Sequence, residues 1–234
     1  MPFIKINDKK IFFCHIPKCG GTSIYTMLKS KGYTLSFVNG NWKSTSNQWS
    51  KTSPQHIIVN DLEVLNIDNL IDISFALVRN PIERFVSAFT HNKIGGTIPF
   101  YKSMYSFLRD LQDADDQFHY KFDNHFRSST DFIFDDTFVF KLENKFEGLD
   151  LFFQKLSESN RENFNLPHSN KRSFSIKGNA QKVCNKTGKP LWYESFKMYL
   201  KTYRIKKHNE ITDLERKMIV DIYFKDFNKF NYEF

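Results

Sequence analysis

The pattern of apolar and polar positions along the chain predicts short buried strands that alternate with amphipathic helices. Apolar runs bounded by polar residues are typical of buried strands, and three of them stand out, at residues 10–16, 73–78 and 137–142. After the first two runs, apolar residues recur at the spacing of one helical face, at Ile24, Met27 and Leu28 and again at Ile82, Phe85, Val86 and Phe89. Strands that alternate with helices predict an α/β fold, a three-layer sandwich with a central parallel sheet flanked by helices.

Other segments add elements to this outline. Residues 56–60 also form a short apolar run, which predicts a further strand. Pro81 suits the first turn of a helix, whereas Gly95, Gly96 and Pro99 interrupt the helical pattern that follows it. Further helices are predicted within residues 100–130, over residues 147–158 and in the C-terminal part, where Ile211, Leu214, Met218 and Ile222 share one face.

Composition sets broad limits on the function. A chain of 234 residues is long enough to bury a core, and we expect a single domain over residues 1–234. Phenylalanine occurs 26 times, so aromatic packing is expected to supply much of that core. The formal net charge of +8 suits an anionic ligand, such as a nucleotide, a nucleic acid, an anionic glycan or a membrane surface. A solvated basic surface explains the same charge equally well, so charge alone selects no function.

The cysteines and the apolar stretches exclude some classes of protein. Cys14, Cys19 and Cys184 provide neither a disulfide framework nor the paired spacing of metal ligands, and Cys14 is expected to be buried. No apolar stretch approaches the roughly 18 to 20 residues that span a bilayer, and the N-terminus lacks the layout of a signal peptide. We therefore expect a cytoplasmic protein with no membrane span and no metal ion.

The first motif is the segment His-Ile-Pro-Lys-Cys-Gly-Gly-Thr-Ser at residues 15–23, between the first predicted strand and its helix. Its two glycines allow the backbone to approach a ligand closely, and the helix that follows offers N–H groups and a positive dipole end to an anion. Lys18 adds a full positive charge, and Thr22 and Ser23 add hydroxyl groups. The lysine precedes the glycines, unlike the lysine of a Walker A loop, yet the chemistry is that of a phosphate- or sulfate-binding loop.

The second motif is the segment Phe-Ala-Leu-Val-Arg-Asn-Pro-Ile-Glu-Arg-Phe-Val-Ser-Ala-Phe at residues 75–89, again between a strand and a helix. Arg79 lies at the predicted strand end, where its planar guanidinium suits bidentate binding of a phosphate. Ser87 is offset from the apolar stripe of the helix, while Glu83 and Arg84 are interpreted as surface charges. Both motifs follow a strand, and parallel sheets bind their ligands at the carboxyl ends of strands.

Both segments resemble motifs of the sulfotransferases that use 3′-phosphoadenosine 5′-phosphosulfate (PAPS), in particular the carbohydrate O-sulfotransferase branch. This resemblance implies a P-loop-like architecture, PAPS as the sulfuryl donor, and a hydroxyl acceptor that is expected to be a saccharide. It further implies that the first motif binds the 5′-phosphosulfate, through Lys18, Cys19, Gly20, Gly21, Thr22 and Ser23.

The same resemblance assigns the 3′-phosphate to Arg79 and Ser87. Shorter family-like blocks occur at residues 123–127, 140–143, 166–172 and 223–232. In the third block, Lys171 and Arg172 either close over the nucleotide or belong to a solvated basic loop. The aromatic residues of the fourth block are expected in the core.

Sulfuryl transfer to a hydroxyl needs a base that takes the acceptor's proton, a role that suits histidine. His56 is the preferred candidate, because it lies about twenty residues before Arg79, as the histidine base does in several carbohydrate sulfotransferases. His125 is the second candidate, either as the base or as a group that orients the acceptor. Glu143 is a carboxylate alternative, with a structural role at the strand end equally compatible. Lys18 is also expected to stabilise charge on the leaving group.

Two other functions are compatible with parts of the sequence. A P-loop kinase for a small molecule predicts a lysine after the glycines and an acidic strand end that binds a metal, and neither is evident. A non-catalytic module for nucleic acid or anionic glycan fits the basic charge, but it leaves the two motifs unexplained. We therefore expect no nucleic-acid partner, and the sequence leaves the oligomeric state open.

Overall fold

Four strands form one sheet in the computed structural model, which describes residues 2–38, 51–157 and 211–234. The strands follow one another in the order β1 to β4 across the sheet, as β1 (Phe3–Ile6), β2 (Lys9–Cys14), β3 (Ile73–Val78) and β4 (Phe138–Lys141). Strand β1 pairs antiparallel with β2, whereas β2 with β3 and β3 with β4 are parallel. The predicted α/β fold is confirmed, with a sheet that is parallel except for the pairing of β1 with β2.

The helices of the described ranges begin largely where the sequence signals predict. They are α1 (Gly21–Ser30), α2 (Val59–Val64), α3 (Pro81–Gly95), α4 (Met104–Gln112), α5 (Asp116–Lys121), α6 (Leu149–Ser157), α7 (Asp213–Ile222) and α8 (Phe224–Lys229), with 3₁₀ turns at Pro54–His56, Asp68–Leu70 and Ser129–Phe132. The side chain of Asn80 accepts hydrogen bonds from the first turn of α3, and Gly96 ends that helix at φ 82°. None of these helices is apolar over a stretch long enough to cross a membrane.

One face of the sheet packs against α1 and α6 through aromatic side chains. Phe13 and Phe75 are paired across β2 and β3, with ring centroids 4.8 Å apart. Phe75 contacts Phe152 and Phe153 of α6, and Phe13 contacts Tyr25 of α1. The high phenylalanine content therefore builds this core, as the composition predicts.

The segment around the third 3₁₀ turn covers the opposite face of the sheet. Phe12 points away from Phe13, because side chains alternate along a strand, and its ring contacts Phe134. The hydroxyls of Ser74 and Thr137 are hydrogen-bonded at 2.8 Å on the same face. Helix α8 packs on the 3₁₀ turn, and α7 packs on α3 and α4.

One local prediction was wrong in type, and one strand was not predicted. Residues 56–60 form no strand: the 3₁₀ turn Pro54–His56 leads into α2, with only Ile57 and Ile58 extended between them. A short apolar run does not distinguish a strand from buried irregular backbone, and here Pro54 begins a turn. Strand β1 was not predicted, because it is an edge strand of only four residues and Lys5 interrupts its apolar positions.

Arg84, interpreted from the sequence as a surface charge, is instead 1% exposed. Its Nε donates a hydrogen bond to the Pro17 carbonyl at 3.1 Å, and its Nη2 donates to the Arg127 carbonyl at 2.7 Å. The guanidinium also lies 3.8 Å from the fully buried carboxylate of Asp226. The interpretation failed because three segments that are distant in sequence cover α3, and Arg84 contacts each of them.

Asp226 is expected to be essential for stability. Besides its contact with Arg84, it accepts hydrogen bonds from the Ser128 hydroxyl and from the backbone of Ser129 and Thr130. Asp226→Ala leaves the Arg84 charge buried without its partner, so the free energy of unfolding should fall by about 3–5 kcal/mol.

Urea unfolding followed by circular dichroism measures this loss. Asp221→Ala is the matched control, because Asp221 is an exposed aspartate on the preceding helix, and it should change the free energy by less than about 0.5 kcal/mol. Equal effects of the two substitutions would contradict the assignment.

Candidate functional site

The first motif forms the loop between β2 and the start of α1. Gly20 caps α1 at φ 88° and Lys18 has φ 70°, a left-handed conformation that is uncommon outside glycine and concentrates at functional sites. The Cys19 side chain is buried in the core, where burial raises the pKa of its thiol to about 12. Cys19 therefore contributes its backbone to the loop. In the first turn of α1, Thr22 is exposed and Ser23 is buried.

Gly21 is required because the His15 ring passes directly over it. A Cβ atom at Gly21 would lie 2.0 Å from Nε2 of His15. The ring is held from two further sides, since it stacks on Phe13 at 5.3 Å and its Nδ1 is hydrogen-bonded to the Tyr25 hydroxyl at 2.8 Å. Burial holds the pKa of His15 well below its usual value, so the ring is neutral. His15 is thus part of the framework of the loop.

Arg79 follows β3 at the same sheet edge, because β2 and β3 are parallel and Cys14 pairs with Ala76. Its Nη2 donates a hydrogen bond to the exposed Glu83 at 2.6 Å, an ion pair that solvent weakens. Its Nε is buried and has no hydrogen-bond partner among the described residues. The Arg79 charge also acts to lower the pKa of Cys19, although the opposite effect of burial is larger. An unsatisfied buried N–H beside a cationic loop is suited to an anionic ligand.

Ser87 is half-buried on α3, four residues before His91. Residues at this spacing share one helical face. The His91 ring contacts the His125 ring at 5.2 Å, so this face of α3 is directed towards the candidate bases. Lys171 and Arg172 lie outside the residues that the structure describes.

His56 is held by Asp123. The His56 side chain is buried, and its Nδ1 lies 2.8 Å from Oδ2 of Asp123. The Asp123 carboxylate also accepts hydrogen bonds from the backbone N–H of Ser53 at 2.6 Å and from its hydroxyl at 2.9 Å. The amide of Asn124 donates to the His56 carbonyl at 2.9 Å. His56 is therefore fixed at both its side chain and its backbone.

His125 lies beside His56 and completes a row of histidine rings. The ring centroid of His56 lies 4.9 Å from that of His15 and 5.3 Å from that of His125. Nδ1 of His125 lies 2.9 Å from the side-chain nitrogen of Asn92. Burial and the neighbouring charges of His56 and His91 hold the pKa of His125 well below its usual value. The Lys18 charge acts on the pKa of His125 in the same direction.

The same residues include atoms that bind metals in other proteins. His56, Asp123 and His125 each offer a ligand atom, all within 4.8 Å of one another, although their sequence spacing indicated no cluster. However, Oδ2 of Asp123 already accepts from His56 and Ser53. Nδ1 of His125 faces the Asn92 amide. Hydrogen bonds account for this arrangement without an ion.

A protein-family profile described as "Sulfotransferase family" matches residues 1–233. The chain belongs to the sulfotransferase family. No curated protein and no solved structure shows a significant match to it. The family match agrees with the resemblance of the two motifs, and it leaves the carbohydrate branch as a proposal.

Glu143, the carboxylate alternative, has a structural environment in this family member. Its Oε1 accepts a hydrogen bond from the Asn80 backbone at 2.7 Å, and its Oε2 accepts one from the Tyr232 hydroxyl at 2.9 Å. These bonds connect the end of β4 to the start of α3 and to the C-terminus. The geometry favours the structural role.

Sequence reasoning missed Asp123, Asn92 and Ser53, which hold the candidate bases. A signal for Asp123 was present, because Asp and Asn tolerate the left-handed conformation and Asp123 and Asn124 have φ 54° and 57°. Two such residues directly before His125 indicate a tight turn that presents the histidine. Asn92 and Ser53 carried no local signal, since their contacts are made only in the folded chain.

Gly21→Ala tests the packing of the loop against His15. The new methyl group must displace a ring that is held by Phe13 and Tyr25, so the free energy of unfolding should fall by about 1–3 kcal/mol. Gly95→Ala is the control, because no atom lies within 4 Å of the added Cβ and Gly95 belongs to α3. It should leave stability unchanged or raise it by up to about 1 kcal/mol. A Gly21→Ala protein as stable as wild type would show that His15 moves freely.

Proposed function

We propose that this protein transfers a sulfuryl group from PAPS to a hydroxyl group, expected to be that of a carbohydrate. The observation that carries the proposal is the adjacency of β2 and β3. The Lys18 loop follows one strand and Arg79 follows the next, at the same edge of a parallel sheet. Because neighbouring strands are about 4.8 Å apart, two cationic groups in these positions suit a ligand with two separated anionic ends.

The donor set fits PAPS in its chemistry. The loop offers a lysine and the start of α1 to a phosphosulfate group. Arg79 offers to a phosphate a buried Nε–H that has no hydrogen-bond partner within the part of the chain that the structure describes. Ser87 lies on the adjoining face of α3 as a hydroxyl donor. When bound, PAPS supplies the sulfuryl group and departs as adenosine 3′,5′-bisphosphate. We propose that residues 1–234 act as one domain in this reaction, which the family match over residues 1–233 supports.

The side chains divide the chemistry among them. His56 accepts the proton of the acceptor hydroxyl as its oxygen forms a bond to sulfur. Lys18 neutralises the negative charge that remains on the oxygen from which the sulfuryl group departs. His125 lies next to His56, within reach of the same hydroxyl. The loop amides at the start of α1 add partial positive charge where the leaving group lies.

An acceptor screen with the full chain tests this function. PAPS is incubated with unsulfated oligosaccharides and, in parallel, with a tyrosine peptide and a simple phenol, and products are identified by mass spectrometry. An oligosaccharide should gain one sulfuryl group. Lys18→Ala should reduce that turnover on the order of 100-fold or more, because charge on the leaving group is no longer stabilised.

Lys29→Ala is the control, since Lys29 is an exposed lysine at the other end of α1. It should retain wild-type turnover. Transfer to the peptide or the phenol alone would contradict the carbohydrate acceptor, and product formed with ATP instead of PAPS would contradict sulfuryl transfer.

A further inference from the structure

The hydrogen bond of His56 fixes which of its nitrogens carries the proton. Oδ2 of Asp123 lies 2.8 Å from Nδ1 of His56. An ionised carboxylate only accepts hydrogen bonds, and that of Asp123 is already surrounded by the N–H and the hydroxyl of Ser53. Nδ1 of His56 must therefore be the donor. In a neutral ring this leaves the lone pair on Nε2, the arrangement that a general base requires.

His125 has the opposite arrangement. The Asn92 side-chain nitrogen donates to the Ala88 carbonyl at 2.9 Å, which fixes the orientation of the amide. The same nitrogen lies 2.9 Å from Nδ1 of His125, so Nδ1 is the acceptor. The reversed amide would place two oxygen atoms against each other at Ala88. A neutral His125 therefore carries its proton on Nε2, and burial keeps the ring neutral by lowering its pKa.

We propose that Asp123 and Asn92 are positioning residues that hold His56 and His125 in opposite tautomers. This assignment rests on the proposed function. His56 then acts as the base through Nε2. His125 donates a hydrogen bond from Nε2 to an oxygen of the reacting groups, where it opposes the build-up of negative charge. The two rings, 5.3 Å apart, are not interchangeable despite their similar surroundings.

The backbone around Asp123 makes the arrangement rigid. Asp123 and Asn124 both adopt the left-handed conformation, so consecutive side chains of this turn reach different parts of the site. Asp123 binds the His56 ring, Asn124 binds the His56 carbonyl, and His125 follows directly. One turn therefore sets the relative position of both rings, which is the precision that catalytic groups need.

Nitrogen-15 NMR of histidine-labelled protein tests the tautomers without any reaction. The two ring nitrogens of neutral histidine have well separated shifts, so the protonated nitrogen is identified directly. We expect Nδ1–H in His56 and Nε2–H in His125. Single His56→Gln and His125→Gln variants assign the signals. The same tautomer in both rings would overturn the proposal.

Asn92→Asp is designed to reverse the tautomer of His125. It places a carboxylate against Nδ1 of His125, so the His125 signal should change to the Nδ1–H form while His56 stays unchanged. An unchanged His125 tautomer in a folded Asn92→Asp protein would overturn the role of Asn92.

Steady-state kinetics test the consequence for turnover. Asp123→Asn keeps the shape of the side chain but removes the charge that selects Nδ1–H, as the loss of a base-orienting carboxylate does in serine proteases. We expect kcat to fall on the order of 100-fold, with KM for both substrates within about threefold. Asp116→Asn is the control, because it removes an exposed partner of Arg127 and should leave kcat unchanged.

The outcomes separate the two proposals. A wild-type protein that transfers no sulfuryl group refutes the proposed function, while the NMR experiment still decides the tautomers. An active wild-type protein whose Asp123→Asn variant keeps wild-type kcat refutes the positioning role of Asp123. If His125→Gln lowers kcat more than Asp123→Asn does, while His56→Gln keeps kcat near wild type, the base is His125 and the division of roles is overturned.

Discussion

The parallel pairing of β2 with β3 is the constraint on which the candidate site depends. Parallel neighbours end at the same sheet edge, so this pairing brings the loop that carries Lys18 next to Arg79, although about sixty residues separate them. The aromatic pair of Phe13 and Phe75 stabilises the register from one face of the sheet. A shift of either strand would separate the two cationic groups by the rise of a residue or more.

Arg84 extends this arrangement from the sheet to the turn that carries Asp123 and His125. It donates to the Pro17 carbonyl in the loop and to the Arg127 carbonyl at the end of the turn that carries His125. Asp226 from the C-terminal helices balances its charge. The loop, the histidines and the C-terminus are thus coupled through one buried guanidinium, and a buried charge of this kind is stable only while all its partners are present.

The sequence correctly predicted the strands and helices that local patterns encode. Predictions failed for residues whose conformation or burial depends on contacts with segments distant in sequence. The buried strands, the start of α3 at Pro81 and the two motifs at strand ends followed from apolar spacing and turn chemistry. Residues 56–60 were predicted to form a strand, because a short apolar run does not distinguish a strand from buried irregular backbone. The contacts of Asp123 and Asn124 with His56 are made only in the folded chain. The burial of Arg84 was missed for the same reason.

Calorimetric titration with nucleotides tests the central claim most directly, namely that the two cationic groups bind opposite ends of one ligand. Wild-type protein should bind adenosine 3′,5′-bisphosphate at least about tenfold more tightly than adenosine 5′-phosphate, since we propose that Arg79 donates charged hydrogen bonds to the 3′-phosphate. Arg79→Ala should abolish this difference and leave the affinity for adenosine 5′-phosphate unchanged. Equal wild-type affinities for the two nucleotides, or an equal loss of both in Arg79→Ala, would contradict the account.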